Sequence, residues 1–308
     1  MNVGIVFPGQ GSQNKSMLEG FKGIECFNQI IKQGSDILGY DIIEIIQDDS
    51  KLNNTIFTQP LILTVSYAIW NTLKSEQEVN ILIGAGHSLG EYSALVANES
   101  MSFEDGLLLV KKRAELMSNA MNNIDGAMAA VIGLNGEEVN EICNQNSTKD
   151  EIIEAVNFNC PGQTVIAGHS TAVDKISPIL KSHGAKIVKK LPVSLAAHTS
   201  LLKSVTSNLK IELQKINFNT ESKFDVIHNY DLSISKNIDQ LINALSTQVC
   251  SPVRWIETME LFKQKNIHNI IEIGPGTVLS GLVKRFDKEM NTFSTNSIDD
   301  VKLLIDSL

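Results

Sequence analysis

Arginine, aromatic residues and proline are all scarce in this chain. Of its 308 residues, 6% are Phe, Trp or Tyr and 7 are proline. Cysteine is sparse too: Cys26, Cys143, Cys160 and Cys250 are scattered, with no C-x-x-C pair and no histidine at metal-ligand spacing. This excludes a disulfide framework and a spaced zinc site, and it suits free thiols in a reducing compartment. Basic charge is short, with 26 Lys and Arg against 35 Asp and Glu, a net charge of −9. Nucleic acid demands a basic face, so it is excluded as a partner. No apolar run approaches the length that spans a bilayer, and no membrane partner is expected. Residues 1–7 lack a basic region before their apolar run and soon meet Pro8-Gly9. They read as a first strand rather than a signal peptide. A soluble cytoplasmic protein is expected. The hydrophobic fraction of 43% suffices for one large core, or for a core plus a smaller inserted unit.

Two glycine-loop motifs are also missing. After the strand Val3–Phe7, Gly9-x-Gly11 leads to Asn14 where a dinucleotide fingerprint needs a third glycine, and no Gly-Lys-Ser/Thr closes a phosphate loop. What remains is a polar loop with Gln10 and Gln13, placed where α/β sheets put loops beside a ligand.

What is present centres on Gly84-Ala-Gly-His-Ser-Leu-Gly90. The apolar run Val79–Ile83 leads in and the helix-like Glu91–Ala97 leads out. Gly86-His-Ser-Leu-Gly90 reads G-x-S-x-G, the strand–turn–helix pattern of a nucleophile elbow. Ser88 must sit on a sharp turn, and the flanking glycines let strand and helix approach without a Cβ clash. The N–H of Leu89 then points at any oxyanion formed on a carbonyl that Ser88 attacks. A glycine-rich turn with an idle serine has the same spelling.

Along the chain, residues 16–47 read as helices with apolar positions at Ile24, Phe27, Ile30, Ile31, Ile37 and Leu38. Residues 48–54 read as a polar loop, and Thr58-Gln-Pro60 opens a mostly buried helix. Ser102 reads as an N-cap, with Glu104 and Asp105 in the first turn of a helix running to about Met121. On that helix Gly106, Leu109, Arg113, Leu116 and Ala120 share one line. Arg113 is the only charge on the apolar face, and the chain's other arginines are Arg254 and Arg285. A guanidinium does not stay buried without an acceptor. An internal salt bridge or a snorkelling stem satisfies it; so does an anionic substrate gripped by the fork.

From Gly126 to about Val193 the order is strand, helix, strand, strand, helix, strand: Met128–Ile132, Gly136–Asn144, Ile152–Asn157, Gln163–Ala167, Thr171–His183 and Lys186–Lys190. This β-α-β-β-α-β order is the ferredoxin-like split unit, of a size to be inserted in a larger domain. Lys181, Lys186, Lys189 and Lys190 form a local basic strip, read as a solvated face or a docking edge. Later segments read as a helix from about Ser200 to Lys215, a strand at Val226–Tyr230 and a helix at Ile238–Val249. A helix opened by Ser251-Pro-Val-Arg-Trp255, a strand at Asn269–Ile273 and a helix from Val278 complete the reading.

An elbow serine needs a base. His87 adjoins Ser88 on the turn, so its side chain should point away. His183 reads as exposed, and His228 and His268 as ordinary surface or hydrogen-bonded residues. His169 and His198 both stand at strand-to-helix junctions with small neighbours, and both stay open as the base. No acid is singled out as a third member.

Phe7-Pro-Gly-Gln-Gly-Ser-Gln13, Thr58-Gln-Pro60, Gly86-His-Ser-Leu-Gly-Glu-Tyr-Ser-Ala94, Arg113, Val156-Asn-Phe-Asn159 with Pro161-Gly-Gln163, Pro192-Val-Ser194 with His198, Ser251-Pro-Val253 and Ile273-Gly-Pro-Gly276 recur in order over essentially the whole chain. Together they resemble the malonyl-CoA:acyl-carrier-protein transacylase family. The resemblance implies an α/β-hydrolase-like catalytic domain at 1–124 and 194–308, with an inserted ferredoxin-like small domain at 125–193. It implies ping-pong transfer of malonyl from malonyl-CoA through Ser88 to the phosphopantetheine thiol of acyl carrier protein, supplying fatty acid synthesis. His198 becomes the base, oriented by a backbone carbonyl at Gln248. Gln10 and the N–H of Leu89 form the oxyanion hole, Arg113 holds the free malonyl carboxylate, and Asn157 and Asn159 match a loop bordering the site. No metal or redox cofactor and a monomeric enzyme are expected. Docking of the acidic carrier falls to Lys181, Lys186, Lys189 and Lys190, with Lys284 and Arg285 as a second patch. Leu195-Ala-Ala197 departs from the family pattern, Ala197 being smaller than expected, and this loosens the implied preference for malonyl. A serine esterase or thioesterase on the same core and a non-catalytic carrier-binding module are the competing readings.

Overall fold

The computed structural model describes residues 2–193 and 195–307. Ser194, which belongs to the Pro192-Val-Ser194 motif and opens the second catalytic segment, lies outside the described residues. The chain starts with strand β1, Val3–Phe7, buried along its whole length. Helices α1 (Glu25–Leu38), α2 (Ile42–Gln47), α3 (Asp49–Leu52) and α4 (Thr55–Glu76) follow. Strand β2 (Ile81–Gly86) leads into α5 (Gly90–Ala97), and α6 (Phe103–Ala120) closes the first part. Ser102 caps α6 as its spelling suggests, accepting from the Asp105 N–H at 3.0 Å.

Next come β3 (Gly126–Ile132), α7 (Gly136–Asn146), β4 (Ile153–Cys160), β5 (Gln163–His169), α8 (Ser170–Ser182) and β6 (Ile187–Lys190). The chain then returns through α9 (Lys203–Leu213), β7 (Asp225–Ile227), α10 (Ile238–Gln248) and α11 (Trp255–Gln264). It ends with β8 (Asn269–Glu272), α12 (Val278–Phe286), β9 (Asn291–Ser294) and α13 (Ile298–Ser307).

Two sheets organise these elements, giving an α/β-hydrolase-like part and a ferredoxin-like part. The larger is parallel, in the order β7-β2-β1-β8-β9. Its central strands are apolar runs because helices cover both faces. The smaller is antiparallel, in the order β4-β5-β3-β6, and belongs wholly to residues 126–190. That order is what a split β-α-β-β-α-β unit produces. One strand edge of the small sheet touches the large part: Phe158 N–H donates to Val253 O at 3.0 Å, and Val253 N–H donates to Val156 O at 2.8 Å. Among the described residues, no helix is long and apolar enough to cross a membrane.

Several boundaries differ from the sequence reading, each for a local reason. Residues 48–54 are not all loop, because Asp48 caps α3 by accepting from Ser50 N–H at 2.9 Å. Helix α4 starts at Thr55, capped by Asn54, so Pro60 lies in its second turn rather than its first. Strand β2 extends past Ile83 to Gly86, drawn on by pairing with β1 up to Phe7–Gly86. Strand β9 and α13 escaped the sequence reading altogether. Pairing with β8 makes a strand of the short Asn291–Ser294 segment, whose own pattern is weak.

The elbow is built on glycine contact. A Cβ on Gly86 would stand 1.8 Å from the Gly90 carbonyl carbon, and one on Gly90 would stand 2.0 Å from the Phe7 carbonyl oxygen. Both clashes are with backbone, which cannot give. Gly281, inside α12, has nothing within 4 Å of such a Cβ. Gly86→Ala should therefore destabilise by at least about 3 kcal/mol, whereas Gly281→Ala should stabilise by up to about 1 kcal/mol. Urea unfolding of the two variants checks both signs.

Candidate active site

Ser88 stands between β2 and α5 with φ at 53°, and His198 with φ at 65°. Non-glycine residues avoid this left-handed region, and strain of this kind gathers where geometry serves chemistry. The Ser88 turn is pinned by three hydrogen bonds from two residues. Asn229 accepts from Ser88 N–H at 2.7 Å and donates to Gly86 O at 2.6 Å. Gln248 Nε2 donates to Ser88 O at 2.8 Å. These bonds hold the hydroxyl towards the pocket.

The Ser88 hydroxyl lies 2.7 Å from His198 Nε2. On the other side of the ring, Nδ1 is 2.9 Å from Gln248 O and 3.1 Å from Ser251 O. Carbonyls only accept, so the proton sits on Nδ1 and Nε2 is left to accept from serine. Among the described residues no carboxylate touches the ring. His198 is buried, and burial, with the Arg113 charge adding to it, pushes its pKa down to about 3. The imidazole is thus kept neutral, the form a base needs.

Arg113 is 1% exposed, so its stem does not reach water. Among the described residues it has no carboxylate within ion-pair distance. Its acceptors are neutral: Gln59 Oε1, Gln248 Oε1 at 3.0 Å and Ser88 Oγ at 3.4 Å. Its Nε is buried without a partner, and the guanidinium lies over the Tyr92 ring, 5.3 Å from the centroid. The internal salt bridge and the snorkelling stem are both set aside. A buried cation with a spare donor beside a primed hydroxyl is left.

These groups line a pocket of about 180 Å³, shared by both parts of the chain. Gln10, Gln59, Leu89 and Ala197 line it from one side, and Met128 and Asn157 from the small sheet. Asn157 Oδ1 is buried without a partner. Asn159 is not on the pocket wall. Its Oδ1 accepts from His87 Nε2 at 2.8 Å; the His87 ring is tilted against Trp255, and His87 is among the residues that border the pocket. The His87 side chain points away from its neighbour Ser88 as expected, towards Asn159 and Trp255. Both asparagines belong to strand β4, not to a loop. His169 is excluded as base: its Nδ1 accepts from Ile152 N–H at 2.9 Å. Of the two readings of His228, surface or hydrogen-bonded, the second holds: it is buried and bonded to Glu91 at 2.8 Å.

The basic strip divides. Register pairs Lys189 with Ala130 and Lys190 with Ala129, so their side chains leave opposite faces of the sheet. Lys190 is tied to Asp174 on α8 at 2.8 Å. Lys284 donates to Met290 O, and Arg285 donates to Gln163 Oε1.

Sequence reasoning missed Glu91 and Asn229. Glu91 is fully buried and accepts from His228 Nδ1 at 2.8 Å, Asn229 N–H at 3.0 Å and Gln248 Nε2 at 2.8 Å. An acid at the start of the apolar stretch Glu91–Ala97 was the available signal. Gln59 was noticed as part of a motif but given no role; its signal was an amide in a helix buried nearly all round.

A hydroxyl paired with a neutral imidazole at the head of a parallel sheet is able to attack an acyl carbon and hold the acyl group as an ester. Fold and site together define an acyl-transfer enzyme. Residues 5–300 match the acyl transferase domain family. The chain is 40% identical over 302 residues to malonyl CoA-acyl carrier protein transacylase of Haemophilus influenzae, covering 96% of this chain and 95% of that one. It is 38% identical over 301 residues to the protein of the same name from Staphylococcus aureus strain COL, covering 97% and 96%. The malonyl CoA-acyl carrier protein transacylase structure from Coxiella burnetii superposes with a TM-score of 0.97 at 35% identity, covering 100% of this chain and 98% of that one. The chain belongs to the malonyl CoA-acyl carrier protein transacylase family.

The lowered His198 pKa sets the sign of a pH effect. Only neutral imidazole takes the serine proton, and the folded ring stays neutral far below the ordinary histidine range. The acid limb of kcat/KM should therefore fall well below pH 6, with no inflection near ~6.5. A stopped-flow profile of serine acylation from pH 8 downwards checks this.

Proposed function

We propose that this enzyme takes malonyl from malonyl-CoA as an ester on Ser88 and delivers it to the phosphopantetheine thiol of acyl carrier protein. The observation that carries this reading is Arg113, buried beside the nucleophile with neutral acceptors and an unpartnered Nε. A guanidinium so placed favours an acyl group that brings its own carboxylate. The names of the relatives support the same substrates.

In the first half-reaction His198 accepts the Ser88 proton as the hydroxyl attacks the thioester carbon. The oxyanion is received by Gln10 and by the Leu89 N–H, at the start of α5 where the helix dipole adds positive potential. Among the described residues neither the Gln10 nor the Leu89 main-chain N–H donates within the protein. His198 then gives its proton to the departing CoA thiolate. The second half-reaction runs the same steps backwards with the carrier thiol as nucleophile. Gln248 orients the histidine through its carbonyl. Two thioesters of like energy are exchanged, so the chemistry calls for no redox or metal partner. The ester must instead be kept from water.

The division at 1–124 with 194–308 and 125–193 places the pocket between a catalytic and a small domain. Asn157 offers its unpaired oxygen to the bound substrate, and Asn159 acts by holding His87. Four free cysteines suit a cytoplasmic enzyme. For the carrier, Lys189 is the best-placed lysine of the strip, sharing the sheet face that carries Met128 to the pocket.

Two outcomes test this. Arg113→Ala should cost malonyl transfer roughly 1.5–3 kcal/mol, about 10–150-fold in kcat/KM, while acetyl-CoA is spared or favoured. Equal losses with both donors make Arg113 structural. Lys189→Glu should raise the KM for the carrier and leave that for malonyl-CoA, whereas Lys190→Glu, which breaks the exposed bonds to Asp174 and Ser170 Oγ on the other face, should change neither. Steady-state transfer assays read both.

A further inference from the structure

A directed chain of side chains joins the guanidinium to the loop after β1, and the dyad does not account for it. Arg113 NH1 donates to Gln59 Oε1. Gln59 Nε2 donates to Thr55 Oγ1 at 2.8 Å, and the Thr55 hydroxyl donates to Gln10 Oε1 at 3.1 Å. The direction is forced. Arginine has only donors, so it fixes which end of the Gln59 amide faces it. The amine of Gln59 then faces Thr55, whose single proton is left for Gln10. A cation at the head of such a chain strengthens each following bond.

Thr55 is the first residue of α4, yet the helix start does not use its hydroxyl. Asn54 Oδ1 caps by accepting from Ile56 N–H at 3.1 Å, and Thr58 Oγ1 donates to Leu52 O at 2.6 Å. The loop that receives the Thr55 bond is pressed on the elbow: a Cβ on Gly9 would stand 2.5 Å from His87 O. With Oε1 of Gln10 engaged, the donors left on Gln10 are its main-chain N–H and its Nε2. Among the described residues neither donates within the protein.

We propose that Thr55 is a positioning residue for acyl transfer, holding Gln10 so that its free donor meets the oxyanion, in register with Arg113. This rests on the reading of Gln10 as an oxyanion donor. An oxyanion forms with every acyl donor, whereas Arg113 meets only an acyl group with a carboxylate. The two residues therefore separate by donor: loss at Thr55 slows malonyl and acetyl alike, and loss at Arg113 falls more heavily on malonyl than on acetyl.

The test compares Thr55→Val and Thr55→Ser with the wild-type enzyme, using malonyl-CoA and acetyl-CoA as donors and acyl carrier protein as acceptor. Thr55→Val should lower kcat for both donors by about 5–30-fold, the worth of one or two hydrogen bonds, with the KM for malonyl-CoA unchanged. Thr55→Ser, which keeps the hydroxyl, should restore most of the rate. If the valine variant does not fold, Thr55→Ala should show the same loss. An unchanged kcat in a wild-type background that transfers malonyl overturns the role of Thr55 alone. So does a loss confined to malonyl, a raised KM with kcat intact, or failure of serine to rescue. A wild type that transfers malonyl to no carrier overturns the underlying reading as well.

Discussion

One residue, Gln248, holds Ser88, His198 and Arg113 to each other. Its main-chain oxygen accepts from His198, its Nε2 donates to Ser88 O and to Glu91, and its Oε1 accepts from Arg113. An amide is the group this position needs. It offers an acceptor towards a cation and donors towards an anion and a carbonyl, with no charge of its own to desolvate. A carboxylate there would pair with Arg113 and cancel the charge that the pocket offers. An apolar residue would leave several buried polar groups unpaired, each at a cost of about 1–3 kcal/mol.

The electrostatics follow from that arrangement. Arg113 and Glu91 are both buried, and Gln248 stands between them, polarised by each. Their opposite charges offset one another at one remove, and the guanidinium, laid over the Tyr92 ring, keeps an unpartnered Nε. The same cation, together with burial, keeps His198 neutral. Among the described residues the Ser88–His198 pair, braced by two carbonyls, has no acid beside it to hold an imidazolium for long, which would suit a base that returns its proton to a thiolate. The strain at Ser88 and His198 is carried by these bonds and by the glycine contacts of the elbow. A hydrolase reading on the same sheet looks for an acid on the histidine, and the groups there are Gln248 O and Ser251 O.

Much of this was legible in the chain, for identifiable reasons. Ser88 showed because its glycines are dictated by backbone clashes of 2.0 Å or less. Arg113 showed because a helix repeats every three to four residues, so one charge on an apolar line stands out. The small sheet showed through its strand and helix order, and its topology follows from that order. Glu91 and Asn229 did not show, because their roles depend on contacts more than 130 residues apart in sequence. His169 and His198 looked alike because each stands at a junction, and only tertiary placement separates them. Asn159 was taken for a pocket residue although its oxygen is spent on His87, and the lysine strip lost its unity once register sent Lys189 and Lys190 to opposite faces.

The account stands on an acyl group carried by Ser88. Mixing the enzyme with malonyl-CoA in the absence of carrier, quenching, and reading intact mass followed by peptide fragmentation tests it most directly. One malonyl group per chain, on Ser88 and discharged when carrier is added, is the predicted result. Steady release of free malonate with no adduct, or an adduct that survives Ser88→Ala, would contradict it.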